Sequence, residues 1–392
     1  MANCRHFKVC TGCTRLNEPY AKQLAQKQQH VAEKLAKVLA AGAELRKVVP
    51  SPSPSPLAYR SSVKLCLHED SLGRWSIGLY KQGTKQVVPI PGCPAHVPGL
   101  NKLADKIFAL PGKVPAPFYN HKGRSFQRGR LKFLTLRQGG AEGRLEEQAI
   151  ILSHTGVDPD AMREWLKAVG LAKLCAYHTT LTPEDGDDVI GRQVEHLSGP
   201  TQFRMELAGH TYRLEPMAFF QANYGLSHAL IEAAGAFEGG GDVLLDLYGG
   251  FGAYSFPLAG KFERIYVVDG NAAAIHAANE KARAEGVANL EARAMTCEAF
   301  LDGMPDEVAR RVTHVIVNPP RSGLSQRVVR RLDRRNFPRL KAIHYVSCNP
   351  ETLARDIAAL TAGKMGSLRL KSAQPFDMFP QTEHVEVVAR LG

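Results

Sequence analysis

The chain has 392 residues, 44% of them hydrophobic, with 50 Lys and Arg against 38 Asp and Glu and a formal net charge of +12. That length predicts two or three domains with apolar content enough for proper cores, which excludes a disordered or fibrous chain. The positive excess favours a polyanion, nucleic acid first, over an acidic protein surface or a neutral metabolite, although charge alone is equally explained by solubility.

The first ten residues, MANCRHFKVC, are polar and carry no apolar core of a leader. No apolar run approaches the ~20 residues that span a bilayer, so a cytoplasmic chain without a membrane partner is expected. In a reducing compartment, clustered cysteines bind metal or do chemistry more often than they pair. Next, Leu16 to Val48 reads as helix, with Val31, Leu35, Val38 and Leu39 at helical spacing and Lys34 and Lys37 facing away. Ser51 to Pro56, SPSPSP, reads as an extended connector. From about 57 to 215, short runs such as SSVKLCLH, RWSIGLY, LKFLTLR and FRMEL predict a mixed, mostly antiparallel sheet. From about Pro216, VLLDLY, RIYVVD, LEARA, THVIVN and AIHYVS alternate with helical stretches, the pattern of a parallel doubly wound sheet. SLRLKSAQ and HVEVVARL add two strands as an antiparallel close. The expected division is therefore 1–50 for the N-terminal cysteines and helix, 51–215 for a β-rich central domain and 216–392 for the α/β domain.

In such a sheet a ligand sits beyond the carboxyl ends of the strands. The first strand runs into Asp246-Leu-Tyr248-Gly249-Gly250-Phe251-Gly252, whose glycines let backbone N–H groups approach a ligand. The second ends in Asp269, a carboxylate where ribose hydroxyls are held. A dinucleotide would use the same geometry, but the third glycine that packs over a pyrophosphate is missing; S-adenosylmethionine, with a ribose and no phosphates, fits better. The fourth strand runs into Asn318-Pro319-Pro320-Arg321, an extended turn that presents the Asn side chain. An aromatic after the prolines would indicate amino-group methylation; Arg321 stands there instead.

The fifth strand delivers Ser347-Cys348-Asn349-Pro350 to the same edge. A lone strand-end cysteine is usually a small core residue. Beside a cofactor crevice, it is a candidate nucleophile for an electron-poor carbon such as pyrimidine C6, whose attack makes C5 able to take a methyl group. A base must then remove the C5 proton. Thr382-Glu383-His384-Val385-Glu386 offers two carboxylates, and period-two alternation puts His384 and Glu386 on one face and Glu383 on the other. Periodicity does not choose between them.

DLYGGFG, VNPPRSG, YVSCNPETLARD and FDMFPQTEHVEVV, in that order, resemble the RNA uracil-5-methyltransferase family, most closely its bacterial 23S rRNA branch. The likeness covers most of the chain. It implies an α/β, Rossmann-like S-adenosylmethionine-dependent methyltransferase domain with an N-terminal iron–sulfur and mixed β-rich RNA-binding region. By resemblance, Cys348 is the nucleophile and Glu386 the proton acceptor, while Gln221, Tyr248, Asp269 and Asn318 contact S-adenosylmethionine. The sequence departs from the family's usual Glu at Asp269, Asp at Asn318 and Cys at Gly249.

The same likeness makes Cys4, Cys10, Cys13 and Cys93 ligands of a [4Fe-4S] cluster. From spacing alone a Cys4 zinc site is equally consistent. Cys66, Cys175 and Cys297 have no partners at ligand spacing and read as core. With the cysteines starting at Cys4, no extra N-terminal RNA-binding barrel is expected. RNA contact falls instead on His121 to Arg137, with Lys122, Arg124, Arg128, Arg130, Lys132 and Arg137, no acid, and Phe126 interleaved. Arg327, Arg330, Arg331, Arg334 and Arg335 are open between phosphate binding and solvation. The expected activity is methyl transfer to C5 of a uridine in 23S rRNA by a monomer; the alternatives are a tRNA uridine and a non-catalytic metal-containing RNA-binding protein.

Overall fold

The computed structural model describes residues 4–39, 42–52, 56–108, 114–123, 125–141, 144–362 and 368–392. Residues 53–55 of the connector and Arg124 of the basic stretch lie outside them. The chain forms two compact units: one of residues 1–18, 53–206 and 213–216, the other of 19–52, 207–212 and 217–392.

The first unit is built on a seven-stranded sheet. Its strand order is Val87–Pro89, Trp75–Tyr80, Ser62–Glu69, Leu131–Ala141, Arg144–His154, Cys175–Thr180 and Val194–Ser198. Neighbours are antiparallel except Arg144–His154 and Cys175–Thr180, which run parallel. A parallel pair needs a crossover, and the helix Pro159–Ala168 supplies it, capped by Asp158 with Pro159 in its first turn. Alternate residues Val63, Leu65 and Leu67, with Leu134, Leu136, Ile150 and Leu152, form one apolar core with Met162, Trp165 and Leu166 of that helix. Leu100, Leu103 and Ile107 of the helix Pro98–Phe108 join the same core. FRMEL pairs outside this sheet, in a two-stranded hairpin of Phe203–Leu207 with His210–Leu214.

The second unit holds an eight-stranded sheet in the order Glu44–Leu45, Leu370–Phe376, Glu386–Leu391, Ala342–Ser347, Val312–Val317, Gly241–Leu247, Phe262–Asp269 and Leu290–Ala294. The last five named are parallel. Glu386–Leu391 is antiparallel to both of its neighbours, which gives the expected antiparallel close. Strand order reverses between Gly241–Leu247 and Val312–Val317. At that switch point the crossovers leave toward opposite faces and open a crevice above the strand ends.

The N-terminal helix is shorter than expected, Tyr20–Leu39 rather than Leu16 to Val48. Pro19 precedes it, Gly42 beyond it has φ 90°, and Glu44–Leu45 pairs with Leu370–Phe376. Val31 and Leu35 are fully buried in the second unit's core, beside Leu353, Ile357 and Leu360. This helix thus belongs with the α/β sheet, not with the cysteines that precede it.

Candidate functional site

The crevice is a cavity of about 560 Å³, within the range of small-ligand sites. It lies wholly in the second unit. Gln221, Tyr248, Asp269, Asn318, Cys348 and Glu386 all line it, joined by Arg321, Phe219 and Phe379.

The Gly241–Leu247 strand turns sharply at its end, where Tyr248 takes a left-handed φ of 59° that a bulky residue adopts only under constraint. Asp269 receives the turn: its Oδ2 accepts from the Gly250 N–H at 3.0 Å and its Oδ1 from the Asn271 N–H at 2.8 Å. Two backbone donors fix the carboxylate and leave lone pairs for hydroxyl donors of a ligand. Asn318 anchors its N–H on the Leu247 carbonyl at 3.2 Å, and its Nδ2 donates to the Tyr254 hydroxyl at 3.4 Å. Beneath the turn Asp246 is fully buried. Its Oδ2 accepts from Ser255 Oγ at 2.6 Å, while Oδ1 has no hydrogen-bond partner among the described residues. Burial pushes that acid up to about 7.

The Asn-Pro-Pro-Arg turn and the Ser-Cys-Asn-Pro turn interlock. The Arg321 carbonyl accepts from Asn349 Nδ2 and from Thr352 Oγ1, both at 3.2 Å. Arg355 donates to the Ser322 carbonyl at 2.9 Å, and Asp356 accepts from the Leu324 N–H and the Tyr345 hydroxyl, each at 2.7 Å. Asn349 also caps the helix Pro350–Thr361 through the Glu351 N–H. The polar residues that follow Cys348 are thus spent on holding Arg321 beside it.

Burial raises the Cys348 thiol, the Glu386 carboxylate raises it further, and the Arg321 guanidinium opposes both as a charge and as a hydrogen-bond donor. Glu386, 4% exposed, is pushed up to about 8 by burial, again with Arg321 opposing. A thiol, a carboxylate and the cation that lowers both share one end of the cavity. Sequence reading passed over Arg321 except as the residue that is not aromatic; its place directly after the strand-end prolines was the available signal.

Glu383 and His384 are both exposed and neither lines the cavity. The expected alternation from His384 to Glu386 fails because the strand begins only at Glu386. In the first unit, Cys4, Cys10, Cys13 and Cys93 line a single small cavity with Arg60 and His96. Among the described residues no group of three His, Cys, Asp or Glu stands close enough to hold a metal ion. Burial, with Cys93 and more weakly Cys10 and Cys4, pushes the Cys13 thiol up to about 12 against the opposing charge of Arg60. The Arg60 Nε is buried without a hydrogen-bond partner among the described residues. Cys66, Cys175 and Cys297 are buried, as core residues should be.

The basic stretch divides. Lys122 and Arg128 are exposed and Arg130 is partly so, whereas Lys132 and Arg137 are buried. Lys132 donates to the Gly186 carbonyl and sits over the rings of Tyr119 and Phe133. The arginines after the Asn-Pro-Pro-Arg turn have partners within the chain: Arg327 and Arg331 with Asp302, Arg335 with Asp333, Arg330 with the Gln326 carbonyl and Arg334 with the Leu340 carbonyl. Among the described residues no helix is long and apolar enough to cross a membrane.

Residues 201–391 match the family model described as tRNA (Uracil-5-)-methyltransferase. An uncharacterized RNA methyltransferase of Gloeobacter violaceus is 30% identical over 100% of this chain and 82% of its own length. One of Thermosynechococcus vestitus is 31% identical over 99% of this chain and 83% of its own. Among solved structures, the Pyrococcus abyssi tRNA (uracil-54, C5)-methyltransferase in complex with S-adenosyl-L-homocysteine is similar with a TM-score of 0.72 at 26% identity, over 98% of this chain and 86% of that one.

Proposed function

Since the chain belongs to the RNA (uracil-5-)-methyltransferase family and has its S-adenosylmethionine-dependent α/β fold, we propose that it methylates C5 of a uridine in 23S rRNA through a covalent Cys348 adduct. One observation carries this reading: Gln221, Tyr248, Asp269 and Asn318 line the same cavity as Cys348 and Glu386. The first four hold S-adenosylmethionine, Asp269 at its ribose. That cofactor supplies an electrophilic methyl group and leaves as S-adenosylhomocysteine.

The rest is done by the chain's own side chains. Uracil C6 is electron-poor, and the Cys348 thiolate adds there, moving electron density onto C5. Arg321 stabilises the thiolate before addition. Once C5 carries the methyl group, Glu386 accepts the C5 proton, the C6–S bond breaks and the 5,6 double bond returns with the free thiolate. The uridine has to leave its stack to reach this cavity, and Phe219, 67% exposed at the lining, offers an aromatic face for it. The first unit is the RNA-binding region, contacting phosphates through the exposed residues of 122–130. Cys4, Cys10, Cys13 and Cys93, which share a small cavity with the buried Arg60 Nε, would hold a [4Fe-4S] cluster there once drawn closer together than they stand in this structure.

A tRNA uridine is the second reading, favoured by the likeness to the Pyrococcus abyssi tRNA enzyme. Mass-spectrometric mapping of 5-methyluridine in 23S rRNA and tRNA, from a strain lacking this protein and its parent, decides between them. On purified protein, Cys348→Ala abolishes methyl transfer, and Glu386→Gln stalls as a denaturant-stable protein–RNA adduct. Full turnover by either variant overturns the mechanism.

A further inference from the structure

The helix Tyr20–Leu39 turns residues four apart into the second unit, and that stripe changes character along its length. Val31 and Leu35 are apolar and fully buried, as an amphipathic helix requires. Gln23 and Lys27, earlier on the same stripe, are buried just as completely, at 1% and 2% exposed. An ammonium so buried is strongly destabilising unless it is paired and hydrogen-bonded.

The pairing goes to one short segment. Lys27 Nζ donates to Oδ1 of the fully buried Asp377, and to the Phe379 carbonyl at 3.0 Å. The Tyr20 hydroxyl donates to Asp377 Oδ2 at 2.7 Å and accepts from the Ser51 N–H at 2.9 Å. Gln23 Nε2 donates to Gln381 Oε1 at 2.9 Å, and the Gln381 N–H donates back to Gln23 Oε1 at 3.1 Å. Five directed hydrogen bonds thus tie the first two turns of the helix to residues 377–381.

That segment has no ladder of its own. It joins the strands Leu370–Phe376 and Glu386–Leu391, and Gln381 sits at φ 68°, a left-handed conformation that a non-glycine residue adopts only where its surroundings enforce it. Phe379 within it and Glu386 just beyond it both line the cavity. Glu386 opens its strand in register with Phe376, so the tied segment is the loop that links these two paired residues.

We propose that Lys27, with Tyr20 and Gln23, is a positioning residue for the proton-transfer step, holding 377–382 so that Phe379 and Glu386 keep their places around the uracil ring. The proposal rests on Glu386 being the base. Lys27 touches no reacting atom; it acts through Asp377 and the Phe379 carbonyl. Directed bonds suit this task where apolar packing does not, because they fix the direction of a backbone carbonyl and not only its depth.

The test compares Tyr20→Phe, Lys27→Met and the double variant Lys27→Met/Asp377→Asn with Glu386→Gln, all full-length, on unmodified 23S rRNA and tRNA transcripts. It reads kcat and KM per active site, the Kd for S-adenosylhomocysteine, the fraction trapped as denaturant-stable RNA adduct, and the thermal midpoint. Lys27→Met is expected to lower kcat about tenfold or more, with KM and Kd unchanged to about twofold, and to accumulate adduct because C5 proton loss slows. Should Lys27→Met fail to fold, the double variant, which strands no buried charge, and Tyr20→Phe, which deletes one hydrogen bond, carry the same expectation. A lowered midpoint with wild-type kcat and adduct fraction means a merely structural tie and overturns the proposal. If Glu386→Gln stalls while the helix variants turn over normally, this proposal alone falls; if Glu386→Gln itself turns over normally, the base assignment falls and takes the proposal with it.

Discussion

In the proposed mechanism Glu386 and Cys348 must both lose a proton before they act, and their surroundings resist it. Burial pushes Glu386 up to about 8 and raises Cys348, so in the free protein near neutral pH both are mainly protonated. The kcat/KM for methyl transfer should therefore climb with pH and lose slope near pH 8, where Glu386 is ionised and only the thiol still titrates; a profile flat from roughly pH 6 upward contradicts this. Arg321 is a cation that acts on both groups. Arg321→Met is expected to move that bend to higher pH and to slow alkylation of Cys348 by iodoacetamide at fixed pH, which mass spectrometry of the labelled peptide reads directly. The same burial has a cost in stability. Because the carboxyl ionises at about 8 when folded and near 4.5 when unfolded, the folded state holds a proton through that window, and stability declines as pH rises from the lower value to the higher. Glu386→Gln removes the loss. It should melt at the wild-type temperature near pH 4.5 and gain up to a few kcal/mol by pH 8 to 9, while losing turnover.

Elements were legible where burial made their sequences uniform and obscure where it did not. VLLDLY, RIYVVD, THVIVN and AIHYVS lie in the interior of a parallel sheet covered on both faces, so their apolar runs announce strands and the turns after them announce the site. CAYHTT and VEHLS escaped notice. The first is buried almost throughout but mixes small, aromatic and hydroxyl side chains, and the second is a short edge strand with little apolar content. The N-terminal helix was found, but the unit it joins was not, because a helix's stripe says that it packs and not on what. Lys27 was the overlooked clue: it extends the Val31 and Leu35 stripe with a charge, and a lysine on an apolar stripe implies a buried acid elsewhere. The basic stretch was misjudged for the complementary reason. Inside the strand Leu131–Ala141, Lys132 and Arg137 are buried, so only the loop before it can reach phosphate. Changing Lys122 and Arg128 to Gln should weaken RNA binding similarly for all sequences and lower the slope of log affinity against log salt by about one per residue. Lys132→Gln should instead lower the thermal midpoint without changing that slope.

At the scale of the molecule, the eight cysteines separate by unit and by surroundings. Four line the small cavity of the first unit, Cys66 and Cys175 are in that unit's interior, Cys297 is in the core of the second, and Cys348 lines the large cavity. Every residue proposed to hold S-adenosylmethionine belongs to the second unit, whereas Cys4, Cys10, Cys13, Cys93 and Arg60 belong to the first. The proposed cofactor and metal sites are therefore separable by substitution. Cys13→Ser removes one of the four proposed ligands, and it should cost the anaerobically purified protein its iron, its sulfide and its visible absorbance. Metal binding to a folded site is folding free energy, so protease cleavage around residues 4–18 should accelerate in the same variant. The Kd for S-adenosylhomocysteine should stay within about twofold of wild type, since none of its proposed contacts involves those thiols. Zinc in place of iron in the wild-type preparation would assign the four thiolates to a tetrahedral site. A wild-type protein free of any metal, with the N-terminal segment equally protected in Cys13→Ser, would leave the cysteines without a metal role and the first unit's stability to its sheet alone.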